Sequence, residues 1–178
     1  MQQKKQQEQQ QQEKEELKFV ADIMVGKLAR YLRMTGKDVL YENNYSDEEI
    51  LKIAKIENRI ILTRDTLMLE RKECKNNIIK SVLIKDDNLI KQLQQLKKDL
   101  KIALKPNLIR CLDCNTLLKN VKKEEILNKV PPYVYKTQQF FLYCPRCNKY
   151  YWRGTHYKNI DSLFKRLNSW YKKWQKDF

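Results

Sequence analysis

Two kinds of residue in this chain stand at spacings that suit chemistry: aspartates that close apolar runs, and cysteines in pairs. Asp22 ends the run Phe19-Val20-Ala21, and Asp65 follows Ile60-Ile61-Leu62 through Thr63-Arg64. Asp86 comes after Ser81-Val82-Leu83-Ile84, and Asp47 and Glu48 open the segment beyond Val39-Leu40-Tyr41. Carboxylates gathered on one rim repel each other and raise one another's pKa unless a cation lies between them. Hard oxygen donors suit magnesium or manganese, which keep several waters and bridge to phosphate oxygens. Ions so held activate water and stabilise the developing charge of phosphodiester cleavage. The expected catalytic set is therefore Asp22, Asp47, Asp65 and Asp86, with Asp22 and Asp65 holding the ion. Each acid has a plainer alternative. A helix dipole favours Asp47 and Glu48 where they stand, and Asp86 also reads as an N-cap. Asp22 and Asp65 cap nothing evident from the sequence.

Cys111-Leu112-Asp113-Cys114 and Cys144-Pro145-Arg146-Cys147 are two C-x-x-C knuckles separated by a longer insert. That pattern is specific for tetrahedral zinc in a ribbon with a looped middle. Four thiolates leave no open coordination position, so the zinc is expected to be structural, stabilising a lobe too small for its own core. Asn115 and Asn148 follow the knuckles where glycine is frequent, and asparagine tolerates the left-handed conformation. Cys74 is isolated in a lysine-rich segment and is given no role. After the second knuckle, residues 149–157 interleave aromatic and basic side chains, as single-stranded RNA requires for stacking and phosphate contact. Trp152, Arg153 and His156 are the candidate RNA contacts there. Alternating aromatics are also good strand formers. His156, the chain's one histidine, could meet phosphate or act as an acid/base, but a structural role carries more weight while no partner is visible.

These groups need elements to position them. From Phe19 onward, short apolar runs alternate with amphipathic segments, which predicts an α/β fold with a parallel sheet covered on both faces. Strands are expected at residues 19–21, 39–41, 60–62 and 81–84. The first helix should carry Met24, Leu28, Tyr31 and Leu32 on one face and end at Gly36. A capping box of Ser46 and Glu49 should open the second, with Ile50, Ile53 and Ala54 inward. A short helix follows Asp65, and another is expected from Asp86 to about Leu100. Ligands of an open parallel sheet bind at the carboxyl ends of its strands, which is where the acids fall. Lys27, Arg30 and Arg33 on the polar face of the first helix, and Arg64 beside Asp65, are candidates for the RNA backbone, with solvated charge as the ordinary alternative.

Residues 1–18, nearly all Gln, Lys and Glu, have little to bury and are expected to be disordered. Residues 19–105 form the larger unit, 106–160 the zinc ribbon, and 161–178 a basic amphipathic helical tail. The 178 residues allow one ordinary domain plus an appendage, and 42% hydrophobic content allows a core. A formal net charge of +15 favours a polyanionic partner. No apolar run reaches membrane-spanning length. With reduced cysteine pairs and no apolar signal region, the expected location is intracellular, cytoplasmic or nuclear, not secreted.

The segment Phe19-x-x-Asp22-x-x-Val25-Gly26-x-Leu28-Ala29-x-x-Leu32-Arg33-x-x-Gly36 resembles the start of the Mut-seven C-terminal RNase family. Asp47-Glu48-Glu49, Leu62-Thr63-Arg64-Asp65, both knuckles, Val130-Pro131-Pro132 and Tyr151-Trp152-Arg153-Gly154-Thr155-His156 follow in the order of that family, from about Phe19 to Tyr157. The resemblance implies a PIN-like fold, a zinc ribbon, a magnesium-type acidic site and RNA as substrate. It places Asp22, Asp47 and Asp65 on the family's acids, with Asp86 as a further candidate. The asparagines after the knuckles, the glutamine-rich head and the basic tail depart from the pattern. The leading expectation is an endoribonuclease with a ribbon that assists RNA binding. The alternatives are an inactive RNA-binding or ribonucleoprotein component, and a scaffold that docks a protein through the Trp170 and Trp174 helix.

Overall fold

The computed structural model describes residues 16–174; the side chains of His156 and of residues 170–174 fall outside the described ones. Four parallel strands, β1 (Lys18–Ala21), β2 (Asp38–Leu40), β3 (Ile60–Thr63) and β4 (Ser81–Leu83), form a sheet in the order β2-β1-β3-β4. Successive strand residues point to opposite faces, and here both faces are buried. Phe19, Ala21, Ile60 and Leu62 enter one core, and Val20 and Ile61 enter the other. That explains why the strands read as continuous apolar runs rather than alternating ones.

The first core lies under α1 (Gly26–Met34), α5 (Leu89–Asp99) and α7 (Thr155–Trp174), which contribute Leu28 and Leu32, Leu93 and Leu96, and Phe164 and Leu167. The second lies under α2 (Asp47–Glu57), with Ile50 and Ala54, and under the short helices α3 (Thr66–Glu70) and α4 (Lys72–Lys75), with Met68 and Cys74. Cys74, given no role from sequence, is thus a core residue. Gly36 ends α1 as expected, at φ +81°, where a side chain would be strained. Met24 departs from expectation. It lies in a 3-10 turn, Ile23–Val25, ahead of α1 and is 55% exposed. The Ser46–Glu49 capping box forms, whereas α5 is capped by Asn88, not Asp86.

The expected disordered head lies outside the described residues up to position 15. Its last part belongs to the fold, since Leu17 packs on the first core and Lys18 opens β1. In the ribbon, β5 (Lys119–Val121), β6 (Phe141–Cys144) and β7 (Lys149–Tyr151) form an antiparallel sheet. It has a small core of Ile126, Val130 and Phe141, and the helix α6 (Pro132–Thr137) precedes β6. The expected tail from 161 begins earlier, at Thr155, and is no appendage. Its Phe164 and Leu167 are 1% and 2% exposed in the first core. Its inward face is therefore occupied, and the side chains of Trp170 and Trp174, the expected docking residues, fall outside the described ones.

Candidate functional site

The carboxyl ends of β1 and β3 and the amino end of α2 enclose a cleft of about 340 Å³ whose lining includes Asp22, Tyr45, Asp47, Arg64 and Asp65. Parallel pairing of β1 with β3 brings the two strand ends side by side, and Asp22 N–H donates to Leu62 O at 3.0 Å. Asp22 is 7% exposed and Thr63 is fully buried. The Thr63 hydroxyl donates to Asp22 Oδ2 at 2.5 Å and accepts from Asp65 N–H at 2.9 Å. One threonine therefore fixes both acids. Sequence reasoning passed over it, although a polar residue closing an apolar strand was the available signal.

The acids also cap, contrary to expectation. Asp22 Oδ1 accepts from Met24 N–H at 2.8 Å, capping the 3-10 turn, and Asp65 Oδ1 accepts from Leu67 N–H at 2.8 Å, capping α3. Asp65 Oδ2 and the whole Asp47 carboxylate have no hydrogen-bond or ion-pair partner among the described residues. Asp86 is not among the residues lining the cleft. Its carboxylate accepts from Asn88 N–H at 2.8 Å and pairs with Lys91 at 2.9 Å, contacts that hold it below the usual carboxylate range. Glu48 turns to Arg71 at 2.7 Å. Asp87, which the sequence did not single out, pairs with the cleft residue Arg64. Tyr45 is a further unanticipated lining residue. Burial pushes its hydroxyl up, Glu42 and Glu57 add to that, and Arg146 of the second knuckle opposes it. The ribbon thus brings a cation within electrostatic reach of the cleft.

The basic candidates of α1 separate. Lys27 is exposed, and Arg30 is exposed but pairs with Asp113 at 3.4 Å. Arg33 is 3% exposed and does not face solvent at all. Its guanidinium donates to Val39 O at 2.9 Å, Leu112 O at 3.1 Å and Asp113 O at 2.7 Å, and more distantly to Tyr41 O at 3.4 Å. Burial lowers its pKa, while Glu42 and the cysteines act to raise it. Arg33 is a cross-link between the edge strand β2 and the first knuckle, not a contact for RNA. A planar fork of donors meets several carbonyls at once, which its place in a helical periodicity does not reveal.

Cys111, Cys114, Cys144 and Cys147 converge, their sulfurs all within 4.8 Å of one another. Thiolates about 2.3 Å from a tetrahedral zinc stand about 3.8 Å apart. The Cys111–Cys147 and Cys114–Cys144 separations are 3.9 and 3.5 Å. The donor set fits zinc, and the four thiols form a group able to bind such a metal. Burial raises the Cys114 thiol, but Thr116 and the neighbouring thiols bring it down to about 6; donation to Cys114 first, then burial, pushes Cys147 up to about 12. Four thiols this close compete for charge unless a cation is shared. Asn115 and Asn148 take φ values of 68° and 54°, the left-handed region expected of them. Asn115 also accepts from Val39 N–H at 3.1 Å and donates to Asp38 at 2.8 Å. The knuckle thereby covers part of the edge of β2, which would otherwise be an open pairing site. Among the described residues no three carboxylates gather into such a group.

Trp152 and Arg153 line a separate pocket in the ribbon, with Arg153 lying 5.3 Å from the centre of the Tyr157 ring. The His156 side chain lies outside the described ones.

A parallel sheet flanked by helices, acids at its carboxyl edge and a cluster of four cysteines in an antiparallel ribbon define a mixed α/β protein with a lobe whose cysteines could hold a metal. The chain belongs to the Mut7-C RNAse domain family, whose model matches residues 17–164. The match runs from Leu17, at the start of the core, to Phe164 in α7, beyond the 19–157 expected. A family of that description makes RNA the expected ligand and a ribonuclease the indicated class. No curated protein and no solved structure matches the chain. Among the described residues, no helix is long and apolar enough to cross a membrane.

Proposed function

We propose that this chain is a PIN-like ribonuclease that hydrolyses phosphodiester bonds of single-stranded RNA, with magnesium or manganese at the acidic cleft and structural zinc in the ribbon. The supporting observation is that Asp22, Asp47 and Asp65 line one cleft with Arg64, at the carboxyl edge of a parallel sheet. The donors fit a hard cation, because the Asp47 carboxylate and Asp65 Oδ2 are unpartnered among the described residues and magnesium needs only one or two carboxylates besides water and phosphate. Such an ion, held by Asp22 and Asp65 with Asp47 nearby, supplies Lewis acidity to phosphodiester hydrolysis. The protein's own part is placement. Thr63 keeps Asp22 and Asp65 in fixed register, and Arg64 offers a guanidinium to the phosphate backbone. Ile23 and Met24, 54% and 55% exposed, give the cleft an apolar shelf for bases. A strand can cross such an open cleft without presenting an end, which favours endonucleolytic cutting.

The clean test uses Asp47→Asn and Asp65→Asn, because neither change removes a capping acceptor that asparagine cannot replace. Cleavage of a single-stranded RNA labelled at one end is followed with magnesium present or omitted; omission is preferable to EDTA, which would also strip zinc. Magnesium-dependent cleavage at internal positions, reduced at least a hundredfold in the double variant with RNA affinity retained, is the expected result. Cleavage that is equal in both proteins would refute the assignment of the cleft.

One observation favours a second reading. Both Asp22 oxygens are already hydrogen-bonded, and Asp86 is committed elsewhere, as in a fold kept for binding RNA without cutting it. RNA affinity with no cleavage under any divalent metal would select that reading.

A further inference from the structure

A second cavity lies in the ribbon, where α6, β7 and the amino end of α7 meet. It has a volume of about 500 Å³, within the range of small-ligand sites. Tyr133, Tyr150, Tyr151, Trp152 and Tyr157 supply its aromatic surface; among the described residues Arg153 and Lys158 are its charged lining and no acid lines it. Tyr133 is 77% exposed, so its ring is open to a ligand. Gly154 lets the Trp152 indole lie against the chain, since a Cβ there would stand 2.9 Å from Trp152 Nε1. Gly154 and Thr155 form the wall at the start of α7, where the helix presents free N–H groups and the positive end of its dipole. Thr137 and Gln138 add neutral donors and acceptors at the rim.

Aromatic faces beside fixed positive charge, without a carboxylate, match a ligand that joins a flat ring to an anion. We propose that this pocket is a nucleotide-binding site: it stacks an unpaired base of single-stranded RNA on Tyr133 and Trp152 and holds the adjoining phosphate with Arg153, Lys158 and the start of α7. The proposal rests on RNA being the ligand of this chain, and adds a second point of attachment remote in sequence from the acids. Arg153 stacked on Tyr157 extends the platform, because a guanidinium plane accepts a base as a ring does. Stacking tolerates any base, so the pocket gives affinity and strand placement without a sequence preference.

The test is fluorescence anisotropy of a labelled single-stranded oligouridylate, titrated with the full chain in magnesium-free buffer so that the strand stays intact. Tyr133→Ala is expected to weaken affinity roughly 5- to 150-fold, the effect of losing one base–aromatic stack. Tyr133→Phe, which keeps the ring, should bind as the wild type does. Arg153→Gln with Lys158→Gln should reduce the slope of log affinity against log salt by roughly one to two. Because Tyr133 is largely exposed, its replacement leaves the fold intact, and an unchanged melting temperature verifies that. Full RNA affinity in a folded Tyr133→Ala protein overturns the pocket while leaving RNA as the ligand; it would point instead to a protein or small-molecule occupant. Failure of the wild type to bind the strand at all overturns both.

Discussion

Arg33 offers the sharpest contrast between a residue's apparent role and its structural one. Arg33→Met keeps the length of the side chain and removes the guanidinium, leaving the carbonyls of Val39, Leu112 and Asp113 without their donor. A hydrogen bond to a charged donor contributes about 1.5–3 kcal/mol, and a stranded buried acceptor costs about 1–3 kcal/mol. Such bonds do not simply add. Burial itself opposes the charged form of Arg33, so removing the cation relieves a cost, and Leu112 and Asp113 are near enough to solvent to regain water. The net loss should be about 2–4 kcal/mol. For a chain of this size each kcal/mol moves the melting temperature by about 2–4 °C, which predicts a fall of roughly 5–15 °C. Differential scanning calorimetry of the zinc-loaded protein measures it. Since the carbonyls of Leu112 and Asp113 belong to the first knuckle, zinc should also pass faster to a colorimetric chelator. RNA affinity should keep its salt slope, because Arg33 touches no phosphate. A melting temperature within about 2 °C of wild type, with zinc retention unchanged and a slope lowered by about one, would refute the cross-link and restore Arg33 to the RNA surface.

Acid should loosen the same corner. Burial raises the Asp38 carboxyl, but hydrogen bonds from Arg59 and Asn115, with the charges of Arg59 and Arg110, outweigh it and leave the pKa below the ordinary value. A depressed folded-state pKa gives stability that is present above the unfolded value of about 3.9 and is lost as pH falls through the lower folded value. Urea midpoints measured from about pH 5 down to about pH 3 should therefore drop more steeply for wild type than for Asp38→Asn, which should be less stable near neutrality; parallel curves would remove Asp38 from the account. Thr63→Val preserves shape but strips the hydroxyl shared by Asp22 and Asp65. It should cost about 1.5–3 kcal/mol in chemical denaturation and lower the rate of RNA cleavage while leaving RNA affinity unchanged. A valine variant as stable as wild type would show that the two acids are held by other contacts.

Much of this protein is written locally. Apolar runs alternating with helical periodicities set a parallel α/β sheet, because strands buried on both faces must be apolar throughout. The Ser46–Glu49 box, the terminator at Gly36 and the left-handed asparagines after the knuckles are each decided by a few neighbouring residues, and each appears where expected. The two C-x-x-C pairs likewise carry their own geometry. Tertiary structure alone decided how polar side chains are used. Periodicity placed Arg33 on a helix's polar face, yet the ribbon folds over that face and turns the guanidinium into a buried tie. Residues 161–178 read as an appended tail until Phe164 and Leu167 find the core beside α1 and α5. Asp86 and Asp65 both follow apolar strands in sequence; the path of the chain after each strand sends one to Lys91 and the other into the cleft. The physical reason is range. Backbone geometry and burial period act over a turn or two, while a charged group's role is set by partners far along the chain, such as Arg33 with Asp113 across 80 positions.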